Sequence, residues 1–203
     1  MKEYSYDKLL NIHTNGKGVP NKLGHYYPYE PTPYEALEAL FEQYELNSSD
    51  QVVDFGCGLG RLNFFIHYFY HAFVVGIEMN EISFKKALQN RKHYAQKTNR
   101  YIEKIEFKCC RAEEYDIDEK DNCFYFFNPF SVHIFQRVVN RILLSVEELP
   151  RNVDIIIYYP SKEYIFYLEN DTAFELIQEV KVPYYYEKNS NERFLIYRLK
   201  SFL

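Results

Sequence analysis

The chain lacks tryptophan, has few glycines and carries no excess of basic charge. Its 203 residues include no Trp, 7 Gly, and 24 Lys plus Arg against 29 Asp plus Glu, which gives a formal net charge of -5. A chain without net positive charge has no long-range field that would hold it on a phosphate backbone. General coating of nucleic acid is therefore disfavoured, while a local nucleic-acid contact stays open.

The cysteines follow no metal-binding spacing. No CxxC pair occurs, and no histidine stands at the spacing of a zinc site. We therefore expect reduced thiols and no metal.

Long apolar runs are also missing. The segment from Met1 to Gly18 has no apolar core typical of a signal peptide, and the most apolar stretch, 62–77, is broken by Asn63 and His67. We expect a cytoplasmic protein with no membrane span.

Aromatic residues are abundant, with 21 Tyr and 17 Phe. Tyrosines and prolines alternate over 26–33, which predicts an extended segment. Thr32, Pro33 and Glu35 then form a capping-box pattern that predicts a helix beginning at Pro33 and ending near Asn47.

Beyond this helix, short apolar runs alternate with helical patterns. Strands are predicted at 52–55, 73–77, 105–109, 123–127 and 153–159, with helices between most of them. Two further strands, 175–182 and 193–199, are joined by the polar turn 187–192 and predict an antiparallel hairpin at the sheet edge. The order indicates an α/β fold with a mostly parallel sheet and helices on both faces.

The segment that carries most chemical information is a glycine loop between a strand and a helix. Asp54 ends the strand, and Gly56, Gly58 and Gly60 follow at alternate positions. A dinucleotide fingerprint would require a third glycine where Arg61 stands. A carboxylate before the loop would also repel a pyrophosphate and attract a cation. A dinucleotide-dependent oxidoreductase is therefore disfavoured.

This loop resembles the first motif of the class I (Rossmann-like) S-adenosylmethionine-dependent methyltransferases, which reads acidic-x-Gly-x-Gly-x-Gly. The resemblance implies a seven-stranded Rossmann-like fold and S-adenosylmethionine as cofactor, which carries an ammonium and a sulfonium but no phosphate. It also implies that Asp54, the three glycines and the intervening Cys57 hold the methionine moiety.

The acid that ends the second strand fits the same family. By the resemblance, Glu78 grips the ribose hydroxyls with two oxygens and Met79 packs on adenine. After the third strand, Arg111 stands where relatives have an acid. The adenine contact is then expected to pass to the Ala112 backbone or to Glu113.

The fourth strand ends in Asn128-Pro129-Phe130, which resembles the Asn-Pro-Pro-aromatic motif of amino-methylating enzymes with one proline missing. The resemblance implies that Asn128 also borders the cofactor. It further implies that oxygens of Asn128 and Pro129 accept hydrogen bonds from a target amine and that the Phe130 ring stacks on a planar group. The alternative is an Asn-Pro turn with Ser131 as the cap of the next helix.

The aromatic-proline segment that includes Tyr27, Tyr29, Pro31 and Thr32 is similar to one that folds over the cofactor in some protein methyltransferases. Residues 1–33 are therefore predicted as an extended lid, with Tyr29 and Thr32 at the cofactor, and residues 34–203 as a single methyltransferase domain. The alternative is a rigid spacer that ties the first helix to the sheet.

A basic run is predicted on the second long helix. Its members are Lys85, Lys86, Arg91, Lys92, Lys97 and Arg100. It is interpreted as a solvated face, with contact to RNA as the alternative.

Together these features predict an S-adenosylmethionine-dependent methyltransferase with no metal and an unknown methyl acceptor. The acceptor atom expected is a nitrogen of a protein side chain, a nucleobase or a small molecule. The rival hypothesis is a module that binds S-adenosylmethionine without catalysing transfer.

Overall fold

A computed structural model describes residues 2–16, 24–98 and 102–200. Arg100 of the predicted basic run and residues 17–23 of the predicted N-terminal segment lie outside these ranges.

One seven-stranded sheet forms the centre of the protein, in the order β3-β2-β1-β4-β5-β7-β6. The five strands β1 to β5 are paired in parallel, and β7 runs antiparallel to both β5 and β6. The predicted parallel sheet and C-terminal hairpin are both confirmed. The strands are β1 Gln51–Phe55, β2 Phe73–Ile77, β3 Ile105–Lys108, β4 Cys123–Phe126, β5 Val153–Tyr158, β6 Glu175–Lys181 and β7 Arg193–Leu199.

Helices cover both faces of the sheet. Successive strand residues point to opposite faces, so Val52 belongs to a core cluster with residues of the first four helices, and Val53 belongs to a second cluster with residues of the last two. None of the described helices is long and apolar enough to cross a membrane. The helices are α1 Lys2–Leu10, α2 Tyr34–Phe41, α3 Arg61–Tyr70, α4 Glu81–Thr98, α5 Val132–Glu148 and α6 Lys162–Asp171.

The N-terminal region differs from its prediction. Residues 2–10 form α1, so the segment 1–33 is not extended throughout. Helix α2 begins at Tyr34, and its first backbone N–H donates to Glu3 Oε1 at 2.8 Å. Thr32 therefore does not cap α2, and its hydroxyl bonds that of Tyr125 at 2.7 Å. The helix also ends at Phe41, before the predicted Asn47.

The strand order places β1 beside β4 at the point where the chain changes direction across the sheet. In open α/β sheets, the loops that leave such a point diverge at the carboxyl ends of the strands and leave a crevice. The site expected from the sequence should therefore open at this edge.

Candidate functional site

A cavity of about 810 Å³ opens at the carboxyl ends of the parallel strands. Each of the strands β1 to β5 is followed by a residue that lines it, and residues 26–31 of the N-terminal region form another wall. The residues contributed after the strands, in strand order, are Gly56, Glu78, Ala112, Asn128 and Tyr159.

Two glycines of the loop lie against other parts of the protein. Gly58 has φ +56°, and a Cβ atom there would lie 1.9 Å from the ring of Tyr29. At Gly56, where φ is +83°, a Cβ would lie 2.6 Å from Pro129 Cβ. Only Gly56 of the loop lines the cavity, while Cys57, Gly58 and Gly60 are buried. These glycines therefore let the N-terminal segment and the residues after β4 approach the loop closely.

Asp54 lies beneath the loop and does not line the cavity. With the Asn63 amide oriented to satisfy both of its neighbours, its nitrogen donates to Asp54 Oδ2 at 3.0 Å. Burial, with a smaller contribution from the nearby Glu78 carboxylate, raises the pKa of Asp54 to about 8. The charged form of Asp54 is therefore disfavoured, whereas the sequence argument treats Asp54 as a carboxylate that attracts a cation.

Glu78 supplies the carboxylate that does face the cavity. Its Oε2 accepts a hydrogen bond from Gly58 N at 3.0 Å, and its Oε1 accepts one from Asn80 N at 2.6 Å. Burial raises the pKa of Glu78, although these backbone hydrogen bonds oppose the rise. A backbone hydrogen bond from Met79 also opposes the rise. A carboxylate has about four lone-pair sites, so the fixed side chain remains able to accept a hydrogen bond from a ligand.

At the end next to β3, Met79 and Ala112 line the cavity as the sequence predicted. Ala112 N donates to the Tyr26 hydroxyl at 3.3 Å, and that hydroxyl donates to Glu113 Oε2 at 2.5 Å. Arg111 is exposed and lies 3.9 Å from Glu114. Arg111 and Glu113 are therefore outside the cavity wall, and Tyr26 is a wall residue that the sequence prediction missed.

At the end next to β4, Asn128 and Pro129 line the cavity, but Phe130 does not. The Phe130 ring is 1% exposed and packs edge-to-face on Phe126, so the structure places it in the core and not at the cavity, where the prediction had it stack on an acceptor. Because Pro129 O accepts a hydrogen bond from Tyr27 N at 2.9 Å, one of its two lone pairs is already used.

Two aromatic residues that the sequence prediction missed line this end of the cavity. Phe127 directly follows β4, and Tyr159 directly follows β5. Their position immediately after a buried strand was the available signal, because such positions in a parallel sheet face the crevice. Both residues line the cavity at the end where Phe130 does not.

The N-terminal segment meets the loop through Tyr29. Its ring packs on Gly58, and its hydroxyl donates to Thr14 O at 3.0 Å. Tyr29 lines the cavity as predicted, whereas Thr32 lies outside the wall because its side chain faces Tyr125.

Arg61, which stands where a dinucleotide site would need glycine, is 3% exposed and holds the N-terminal region. Its guanidinium donates to Thr14 Oγ1 at 2.8 Å, to Asn15 Oδ1 at 2.7 Å and to Thr32 O at 3.1 Å. It also pairs with Glu3. The residue after the glycine loop is therefore an anchor for the segment that walls the cavity.

Cation ligands are not concentrated in this region. Within the described ranges, no group of three or more His, Cys, Asp or Glu side chains is arranged to hold a metal ion.

Comparisons with known proteins agree with the fold. A family model described as a methyltransferase domain matches residues 46–170. A comparison with curated protein sequences gives no significant match.

Several solved structures are similar. The RNA methyltransferase from Salinibacter ruber, in complex with S-adenosyl-L-homocysteine, has a TM-score of 0.58 and 18% identity, over 83% of this chain and 92% of that one. Geranyl diphosphate C-methyltransferase from Streptomyces coelicolor A3(2) has a TM-score of 0.58 and 13% identity, over 96% and 92%. The cyclase SpnF has a TM-score of 0.62 and 13% identity, over 98% and 94%. At these identities the structures share a fold, and their different substrates leave the acceptor of this chain open.

Proposed function

This chain belongs to the methyltransferase domain family and is an S-adenosylmethionine-dependent methyltransferase, and from that premise we propose which residues bind the two substrates. The cavity at the ends of β1 to β5 is the proposed site. S-adenosylmethionine supplies a methyl group bound to a positively charged sulfur, which makes the methyl carbon open to attack by a nucleophile.

The placement of the Glu78 carboxylate at the cavity wall is the observation on which the cofactor assignment rests. Its carboxylate is buried to 8% exposure, fixed by two backbone N–H groups, and still lines the cavity. Such a group accepts hydrogen bonds from vicinal hydroxyls and suits a ribose. Met79 and Ala112 provide the neighbouring apolar wall for adenine, and Gly56 borders the methionine portion. Membership of the methyltransferase domain family selects S-adenosylmethionine as the nucleoside compound, because an acid at this position also suits the ribose of a dinucleotide.

Asn128 is the group that we assign to the acceptor. It lines the cavity at φ +41°, and no described protein group is found to hydrogen-bond its carboxamide. The carboxamide oxygen accepts a hydrogen bond from an N–H group, which orients an amine nitrogen. Alignment of reacting groups contributes roughly 7–11 kcal/mol to such reactions without a general base. A nitrogen acceptor therefore suits this end of the cavity.

The N-terminal segment is assigned a covering role. Residues 26–31 line the cavity, and Tyr29 rests on the glycine loop. We assign this part of the predicted lid to the exclusion of water from the bound substrates.

Asn128→Gly tests the acceptor assignment, because glycine tolerates the positive φ and removes only the side chain. Transfer of labelled methyl from S-adenosylmethionine into a cell extract should fall about two- to tenfold, since one oriented hydrogen bond is worth roughly 0.5–1.5 kcal/mol. Affinity for S-adenosylhomocysteine, measured by calorimetry, should stay unchanged.

Asn170→Ala is the matched control, because Asn170 is exposed on α6 and away from the cavity. It should transfer methyl at the wild-type rate. Equal losses of transfer and affinity in Asn128→Gly would instead make Asn128 a structural turn residue and contradict the assignment.

A further inference from the structure

The charge of the cavity wall restricts the acceptor. Within the described residues, the charged side chains that line the cavity are Glu30 and Glu78, and the lining residues include no Lys, Arg or His. A phosphate group bound there would face carboxylates and no basic partner among the described lining residues, which is an unfavourable arrangement in a partly desolvated site. A positively charged group would be attracted.

Aromatic rings form much of the remaining wall. Phe127 and Tyr159 lie at the Asn128 end, and Tyr26, Tyr27 and Tyr29 come from the N-terminal segment. Tyr27 is also 46% exposed at the cavity. The faces of such rings attract ammonium groups and pack against flat apolar scaffolds. The rings and the carboxylates therefore favour the same kind of ligand.

Tyr159 is held in a strained conformation that keeps it at this wall. Its φ is +51°, which is unusual for a bulky residue, and its backbone N–H donates to Arg193 O at 3.1 Å. Its hydroxyl accepts a hydrogen bond from Asn189 Nδ2 at 2.8 Å and keeps its own hydrogen to donate. Strain of this kind persists where the surroundings fix the residue, and it concentrates at ligand sites.

We infer that the methyl acceptor is a small organic amine that enters as an ammonium ion on an apolar or aromatic scaffold and carries no phosphate. This inference rests on the proposed function, and it narrows the acceptor of the same site. Glu30 attracts the cation, the carboxamide oxygen of Asn128 orients its nitrogen, and Phe127 and Tyr159 contact the scaffold.

The chemistry balances without a further reactant. The ammonium releases one proton to water and becomes a neutral amine. Its lone pair forms the new nitrogen–carbon bond while the carbon–sulfur bond breaks, and sulfur keeps that electron pair. The positive charge therefore passes from sulfur to the methylated nitrogen.

RNA is the competing acceptor, and it would need basic side chains near the site. The basic residues Lys85, Lys86, Lys92 and Lys97 are exposed on α4, and none of them lines the cavity. The described cavity wall therefore offers no basic contact for a phosphate, and RNA is treated as an outcome of the test.

The test transfers labelled methyl from S-adenosylmethionine into a cell extract that is then divided into RNA, protein and metabolites. The metabolites are separated at pH 7 on cation-exchange and anion-exchange resins. Because labelled S-adenosylmethionine is itself a cation, it is separated from the products by chromatography, and a reaction without the protein is the blank. We expect label above this blank in metabolites other than S-adenosylmethionine that the cation exchanger retains. Label in RNA, in protein or on the anion exchanger overturns the inference and leaves the proposed function intact.

Absence of label in every fraction also contradicts the inference if S-adenosylhomocysteine binds in calorimetry. If S-adenosylhomocysteine does not bind, the proposed function itself fails. These two failures are therefore distinguishable.

With the unmethylated form of the labelled metabolite as substrate, Glu30→Gln should raise KM about fivefold, as expected for loss of an exposed ion pair. Its kcat and its affinity for S-adenosylhomocysteine should not change. Glu45→Gln is the control, because Glu45 is exposed and does not line the cavity. An unchanged KM in Glu30→Gln, or an equal rise in Glu45→Gln, contradicts the role of the cavity charge.

Discussion

Asp54 and Glu78 are two buried acids near one glycine loop, and the structure gives them different environments. Burial raises the pKa of both acids, but backbone hydrogen bonds from Gly58 N and Asn80 N oppose the rise at Glu78, whereas the nearby Glu78 carboxylate adds to it at Asp54. Glu78 lines the cavity and Asp54 does not. The sequence motif does not reveal this difference between the two acids.

The raised pKa of Asp54 predicts how stability depends on pH. The folded protein keeps a proton up to a pKa of about 8, while the unfolded chain releases it near pH 4. This stabilising contribution is complete below about pH 4 and is lost as pH rises through about 8, at no more than about 1.4 kcal/mol per pH unit. Asp54→Asn should remove this slope.

Urea unfolding of both proteins between pH 5 and pH 8 measures the effect. Asp116→Asn is the control, because the side chain of Asp116 is fully exposed. If wild type and Asp54→Asn lose equal free energy of unfolding over this range, Asp54 does not carry the proton.

The contact between Gly58 and Tyr29 allows the loss of stability in a Gly58 variant to be predicted. A Cβ at Gly58 would lie 1.9 Å from the Tyr29 ring, at φ +56°. Gly58→Ala should therefore destabilise the protein by about 2–4 kcal/mol, as the sum of overpacking and left-handed backbone strain. In a Tyr29→Ala background only the backbone strain remains, and the cost should fall to about 1–2 kcal/mol.

A double-mutant cycle measured by urea unfolding separates the two contributions. The same cost of Gly58→Ala in both backgrounds would show that Tyr29 does not rest on the loop in solution.

At the scale of elements, the parallel strands were predictable and the N-terminal helix was not. Strands β1, β4 and β5 are buried along their whole length, and a continuous apolar run is a local signal for such strands. Helix α1 has a polar sequence and is fixed by distant residues, including Arg61. Thr32 and Phe130 also differ from their predicted positions because of distant residues. The Thr32 hydroxyl bonds that of Tyr125, and the Phe130 ring is buried in the core.

Arg61 joins α1 and the N-terminal segment to the beginning of α3. Arg61→Gln removes hydrogen bonds from a charged group to Thr14, Asn15 and Thr32, and should lower the free energy of unfolding by about 2–3 kcal/mol. Backbone amides of α1 should also exchange hydrogen faster than those of α5, because α1 loses its anchor.

Hydrogen exchange and urea unfolding check this role. Arg137→Gln, exposed on α5, is the control and should behave as wild type. Unchanged protection of α1 in Arg61→Gln would mean that other contacts hold the N-terminal region.

At the scale of the whole molecule, the sheet order brings five strand ends to one cavity, and the N-terminal segment closes its side. The alternation of strands and helices predicts the fold class, and the motifs predict Glu78, Met79, Ala112 and Asn128 at the cavity. The wall formed by Tyr26 and Glu30 depends on long-range packing, which no local pattern encodes. Whether Phe127 and Tyr159 face the cavity depends on the residue at which β4 and β5 end. The sequence pattern does not locate these ends to the single residue.

Calorimetric titration with S-adenosylhomocysteine tests the central claim, which is that Glu78 holds the cofactor in this cavity. Wild type and the exposed control Glu81→Gln should bind one equivalent with equal affinity, and NAD should not bind. Glu78→Gln should bind at least about tenfold more weakly, a loss of roughly 1.4 kcal/mol. Failure of the wild type to bind, or equal affinity in Glu78→Gln, would contradict the account.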